Sequence, residues 1–203
     1  VPLRYLIAKA ILKAHTPALR GCEIDPLAWI GPGAHITQSK VGRYSYVGNF
    51  STVIQAQIGA FCSIASGCII GGAAHPMDRV SSSPAFHRGR NVLGKNFAHH
   101  PPEGALDTYI GNDVWIGSNC LVKSGVRIGD GAVLGMGSVL TKDVGDYEVW
   151  AGNPAKIIRR RFDVETASDL ARTRWWDYDE AALAAAAKYF PDVSAFLRYA
   201  RGV

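Results

Sequence analysis

The sequence predicts a mainly β fold: a parallel β-solenoid interrupted by one long inserted loop and followed by helices. Three observations carry that prediction. From Ile110 to Thr141 an aliphatic residue returns at every sixth position, at Ile110, Ile116, Val122, Ile128, Leu134 and Leu140. The residue four after each is small or β-branched (Val114, Cys120, Val126, Ala132, Ser138, Val144), and glycine follows the aliphatic at Gly111, Gly117, Gly129 and Gly135. The same register runs earlier through Ile30, Ile36, Val41, Val47, Val53, Ile58, Ile64 and Ile70, then stops at Gly72 until Ile110.

A six-residue period matches neither an amphipathic helix nor a long alternating strand. It matches short flat strands joined by tight corners and stacked coil on coil. Alternate strand residues share a face, so Val114 with Ile116 and Ala132 with Leu134 point inward and the residue between each pair points out. Glycine after the aliphatic suits a corner where a side chain would crowd the neighbouring backbone. Three hexads close one triangular coil.

The remaining elements follow in chain order. Leu3, Leu6, Ile7, Ala10 and Ile11 have helical spacing, with Arg4, Lys9 and Lys13 on the polar side, so residues 1–20 read as an N-terminal helix covering the first coil. Residues 21–151 form the solenoid, with units of five residues at Ile36 and Val53. The insertion, residues 73–109, projects from one corner. A break of this length inside a compact domain points to function or to disorder. Gly152-Asn153-Pro154 releases the chain from the coils. Residues 152–203 read as a helical extension, with one segment over Val164 to Arg172 and a second over Asp179 to Phe190 that Pro191 stops.

Composition narrows the function classes. The chain has 203 residues, 48% of them hydrophobic, a net charge of +5 and a pI near 9.1. The basic excess is scattered except at Arg159, Arg160 and Arg161, which argues against nucleic acid and for an anionic small molecule. No apolar run approaches the ~20 residues that span a bilayer, so no membrane insertion is expected. Cys62, Cys68 and Cys120 occupy small inward positions and behave as hydrophobes, with neither zinc spacing nor a disulfide framework. The first fifteen residues lack a signal-peptide pattern, and a cytoplasmic protein is expected.

The hexads resemble those of the hexapeptide-repeat acyltransferases, and the chain as a whole is most similar to their xenobiotic acetyltransferase class, which includes chloramphenicol and streptogramin acetyltransferases. The carriers are Gly72-Ala-Ala-His-Pro76, Ser82-Ser-Pro-Ala-Phe86, Gly111-Asn-Asp-Val-Trp-Ile-Gly117, Gly152-Asn-Pro154, Arg161-Phe162 and Trp175-Trp176. The resemblance implies a left-handed parallel β-helix, a hand that the spacing itself does not provide. It also implies a homotrimer binding acetyl-CoA in the cleft between adjacent subunits, and no metal.

Acetyl transfer from a thioester to a hydroxyl needs a base, a coenzyme site and donors for the oxyanion. His75 is the candidate base: imidazole titrates near neutral pH, the residue stands where loop meets solenoid wall, and the resemblance points to it. The alternative is a loop histidine held by backbone hydrogen bonds. His87, His99 and His100 read as solvated loop residues. Asp78, Ser82 and Phe86 are the acceptor-side candidates, with turn formation as the plain alternative for the first two. Trp115 points outward from its hexad, toward coenzyme, acceptor or a neighbouring subunit.

The resemblance further carries Ser118 and Met136 onto the pantetheine path and Thr141, Lys142, Lys156 and Arg159 onto coenzyme contacts. The three cations fall near the end of the solenoid, where phosphates need them. Lysine at 156 departs from the arginine common in relatives. Outward Leu121, Val133 and Val139 are apolar for a monomer's surface and favour the homotrimer.

The acceptor is an antibiotic or a sugar of surface polysaccharide or lipopolysaccharide synthesis, the sugar on oxygen or nitrogen. His87 to Arg90 would suit an anionic group. Two other classes are weighed: a hydration enzyme with a three-histidine zinc site between subunits, and a non-catalytic solenoid.

Overall fold

The computed structural model describes residues 2–102, 104 and 106–202. Val1 and Val203, at the ends of the first and last units, and Glu103 and Ala105, in the loop, lie outside the described residues. Short strands stack into three flat walls, all parallel but for the last pairing. Wall A runs Ala18–Arg20, His35–Thr37, Thr52–Ile54, Ile69–Gly71, Leu121–Val122 and Val139–Leu140. Wall B holds Glu23–Ile24, Lys40–Val41, Ala56–Ile58, Thr108–Ile110 and Arg127–Ile128. Wall C holds Trp29–Ile30, Tyr46–Val47, Ser63–Ile64, Trp115–Ile116, Val133–Leu134, Glu148–Gly152 and Ala155–Arg160.

The hexad register is the register of the walls. Val47 lies over Ile64, Ile64 over Ile116 and Ile116 over Leu134. These aliphatics are 0–2% exposed, as are Ile36, Val41, Val53, Ile70 and Leu140. Each fully buried side chain of this kind stabilises the fold by roughly 1.5–3 kcal/mol over leaving it in water. Close stacking of the coils explains the glycines. A Cβ at Gly48 would stand 2.5 Å from the Ser66 amide nitrogen of the next coil. Gly71 has φ +74°, and its added Cβ would meet the Ile54 carbonyl oxygen at 2.0 Å.

The solenoid starts earlier than the legible repeat, because Ala18–Arg20 and Glu23–Ile24 already pair with the following coil. It also ends differently. The Gly152-Asn153-Pro154 break is a hairpin turn with a cis Asn153–Pro154 bond, and Ala155–Arg160 returns antiparallel along wall C before the helices begin. The stretch after the break is therefore first a strand.

The N-terminal helix α1 (Leu3–Lys13) forms where expected but buries none of its residues. The expectation that it covers the first coil is corrected: it is tied down beyond its end, where the His15 carbonyl accepts from the Gly33 amide at 2.7 Å and the His15 ring meets Phe50 edge-on. Leu3, Leu6, Ile7 and Ile11 stay more than half exposed.

Three C-terminal helices, α2 (Val164–Thr173), α3 (Glu180–Ala186) and α4 (Val193–Arg201), pack on a second core around Tyr147, Leu170, Ala186 and Phe196. Asp163, Asp179 and Asp192 cap them by accepting backbone N–H bonds at 2.7–3.0 Å. The N–H and hydroxyl of Thr166 hold the Asp163 carboxyl below its ordinary range.

The two cores are joined by the motif residues Arg161-Phe162 and Trp175-Trp176. Arg161 donates to Asp113 at 3.2 Å and to the Gly131 carbonyl at 2.6 Å. Arg43 donates to the Trp176 carbonyl at 2.7 Å and to the Tyr178 carbonyl, while Trp175 packs on Phe61.

Candidate active site

The insertion leaves wall A at Gly71 and returns to wall B at Thr108, so it grows from the A–B corner of a mid-solenoid coil. It is folded on itself. Ser83 caps a short turn of helix over Pro84–Phe86, the Phe97 amide donates to the Ala85 carbonyl at 2.6 Å, and His87 bridges His100 in parallel. Gln55 and Asp107 tie its base to the coil at 2.9 Å.

His75 is exposed at the root of this loop, and its Nδ1 lies 2.8 Å from the Ser82 carbonyl oxygen. A carbonyl only accepts, so the bond places the proton on Nδ1 and leaves the Nε2 lone pair free. That is the tautomer a base requires. Ser82 thus acts through its main chain, a role invisible in its side-chain type.

The other acceptor-side candidates divide. Phe86 lines a loop cavity of about 550 Å³ with Arg79, Val80, Ser81, His87, His100 and Pro101. Asp78 is exposed and stands outside that lining. The reading of His87 as a solvated residue is corrected. It is 7% exposed, whereas His99 and His100 are exposed as expected.

The coenzyme-side candidates fall into two columns. Trp115, 55% exposed, stands on wall C between Ser63 and Val133. Ser118 and Met136 follow at the C–A corner, where the Ser118 carbonyl accepts from Gly137 at 2.8 Å. Lys156 pairs with Ala151 at the end of the same column, and Arg159 pairs with Val149 on wall C. Thr141 and Lys142 stand instead at the A–B corner, below the His75 loop. Wall A separates the columns by about 10 Å, the length of a three-residue strand. Within one chain the three cations share an end of the solenoid but not a single face.

The motif around Trp115 is partly structural. Asn112 accepts from the Ala60 amide at 2.9 Å and donates to Asp130 at 3.0 Å, stitching three coils at the B–C corner. Asp113 pairs with Arg161. Burial raises its carboxyl, and the Arg161 guanidinium opposes that shift. Among the described residues, no group of three or more His, Cys, Asp or Glu side chains could hold a metal ion.

A triangular solenoid carrying a clamped imidazole at the root of a corner loop has the build of a hexapeptide-repeat transferase. Residues 107–142 match the family model of the bacterial transferase hexapeptide, six repeats. Over 160 residues the chain is 39% identical to a chloramphenicol acetyltransferase of Escherichia coli, spanning 68% of this chain and 75% of that protein. Over 140 residues it is 39% identical to a probable macrolide acetyltransferase of Lysinibacillus sphaericus, spanning 67% and 74%. The crystal structure of a polySia-specific acetyltransferase, NeuO, superposes with a TM-score of 0.54 at 29% identity, covering 85% of this chain and 77% of that one. The chain belongs to the xenobiotic acetyltransferase class of the hexapeptide-repeat family: a left-handed parallel β-helix and an acetyltransferase.

Proposed function

We propose that the chain moves an acetyl group from acetyl-CoA directly onto a hydroxyl of a small molecule, with His75 as general base. The observation that carries this role is the 2.8 Å bond from Nδ1 to the Ser82 carbonyl. Nε2 takes the hydroxyl proton as the oxygen attacks the thioester carbonyl. Backbone amides hold the tetrahedral oxyanion, which collapses and expels the coenzyme thiolate. The proton on Nε2 then passes to that thiolate, returning the imidazole to its starting tautomer.

The separation of the candidates into two columns supports a site between subunits. The C–A column of one subunit, with Trp115, Ser118, Met136 and Lys156, would hold the coenzyme. The A–B column of a neighbour would then bring His75 to the thioester end, and Thr141 and Lys142 to the coenzyme further along. This is a homotrimeric arrangement, and a cytoplasmic one given the supply of acetyl-CoA. The preferred acceptor is an antibiotic such as chloramphenicol or a streptogramin, which would make the enzyme one of antibiotic resistance. A sugar of a surface polymer is the second reading, favoured by the likeness to the polySia-specific enzyme.

Thiol release from acetyl-CoA, measured with chloramphenicol, a streptogramin, a macrolide and a panel of free and nucleotide sugars, separates these readings. His75→Ala is expected to lower kcat by about 100-fold or more with coenzyme A affinity retained, the size of a general-base contribution. Unchanged turnover with weakened coenzyme binding would sink the proposed role.

A further inference from the structure

We infer that helix α1 attaches the molecule, by its N-terminal end, to an anionic phospholipid surface on which the helix lays its apolar stripe. The stripe is built by spacing. At about 100° per residue, Leu3, Leu6, Ile7, Ala10 and Ile11 fall within an arc of about 140°. Leu3 is 72% exposed, Ile11 60%, Leu6 52% and Ile7 51%. The stripe is turned away from the solenoid, because Leu12, on the opposite side, is the only residue of the helix that is partly buried. A helix of 11 residues with no side-chain N-cap and no acid in its first turn is marginal in water. Contact along the stripe would steady it, and the rest of the chain supplies none.

Charge selects the occupant. Arg4 stands at one margin of the stripe and Lys9 and Lys13 at the other, and residues 1–22 add Arg20 and contain no Asp or Glu. Basic side chains at the margins of an apolar stripe bury their stems at the acyl boundary and leave their charges among the headgroup phosphates. A second copy of the helix would meet the stripe with the same cations and nothing to neutralise them, whereas an anionic surface neutralises them all. Among the described residues no helix is long and apolar enough to cross a membrane, so the attachment is to the surface.

The rest of this end suits a flat partner. Leu19 stands over Ile36 in the inward column of wall A, yet it is 49% exposed because no coil precedes it. His15 pins the exit of the helix to Gly33 and Phe50, which keeps the helix at this end. In the proposed trimer, rotation about one axis sets three equivalent helices at one height, so a single flat surface meets all three. Three weak attachments then act together, which one short helix could not match.

The test is flotation of the full chain with vesicles of phosphatidylcholine and phosphatidylglycerol in equal parts, beside vesicles of phosphatidylcholine alone. No acetyl-CoA is present, so the outcome is independent of the acetyltransferase reading. The native protein is expected to float with the mixed vesicles at low salt, to be released at high salt, and to stay behind with phosphatidylcholine alone. Ile7→Asp, which breaks the stripe, is expected to weaken binding to the mixed vesicles about tenfold or more. Lys9→Gln combined with Lys13→Gln, which strips one margin of charge, is expected to weaken it by about as much. Both variants are expected to keep the native melting midpoint and coenzyme A affinity, since α1 buries none of these side chains.

No flotation of the native protein with the mixed vesicles, or equal flotation of native and Ile7→Asp proteins, would overturn the inference. Binding to phosphatidylcholine alone as strong as to the mixture would remove the anionic partner and overturn it too. So would a vesicle-free native particle that Ile7→Asp reduces in size, because the stripe would then lie between copies of the chain.

Discussion

At the scale of single residues, His75 and the cysteines show how position converts ordinary side chains into special ones. A histidine before proline at the end of a hexad series is visible in the sequence, but its protonation pattern is not. The bond to the Ser82 carbonyl arises from loop closure across seven residues and settles which nitrogen is free. The inward cysteines are the opposite case. Burial pushes the Cys62 thiol up to about 12, the hydrogen bond with Cys120 and then burial raise Cys68, and Cys62, Cys68 and Cys120 are all 0% exposed. In the native protein a thiol reagent at pH 8 is expected to modify the half-buried Cys22 rapidly, and the other three only on the timescale of unfolding. Rapid modification of all four in folded protein would contradict a packed solenoid interior.

At the scale of elements, each coil depends on its neighbours because no strand here is long enough to stand alone. Glycines that let coils approach are therefore as important as the aliphatics between them. Gly48→Ala places a methyl group 2.5 Å from backbone of the next coil. It is expected to cost about 1–3 kcal/mol, the range for overpacking, read as a lower urea midpoint with an unchanged slope. A loss under about 0.5 kcal/mol, the level of an indifferent surface change, would mean that the coils yield.

The coils were legible because the period repeats the same packing problem. The Ala155–Arg160 strand was not, because it is defined by the exposed edge it lies against and carries no inward pattern: only Ala155 is buried. Helix α4 was likewise missed as a separate element. Asp192 and Phe196 mark it, but only the groove against α2 makes its apolar side continuous.

For the whole molecule, the three walls are chemically unlike. Wall B presents Glu23, Lys40, Gln57, Tyr109 and Arg127, a polar surface with a Lys40–Glu23 ion pair at 2.8 Å. Wall A presents Ile69 at 49%, Leu121 at 42% and the half-buried Val139, and wall C presents Trp29, Tyr46 and Trp115. Contiguous apolar surface of this kind is what association covers. Sedimentation is expected to give a particle of about three times the 21.8 kDa chain. Leu121→Asp, at an outward position that leaves the core intact, is expected to shift it to the monomer with an unchanged circular dichroism spectrum. A native monomer at micromolar concentration would contradict the subunit cleft and with it the two-column site.

By itself the sequence determined the coil, its interruption and the family, because each is written in local spacing: a period of six, a break in it, and short motifs at its corners. Tertiary structure alone decided which residues stand together. It placed Ser118 and Met136 on a different corner from Thr141 and Lys142, turned Arg161 and the tryptophans into a joint between two cores, and buried His87. The physical reason is that spacing sets which way a side chain leaves the backbone. What it then meets depends on coils, loops and edges that are distant in the chain and adjacent only once it has folded.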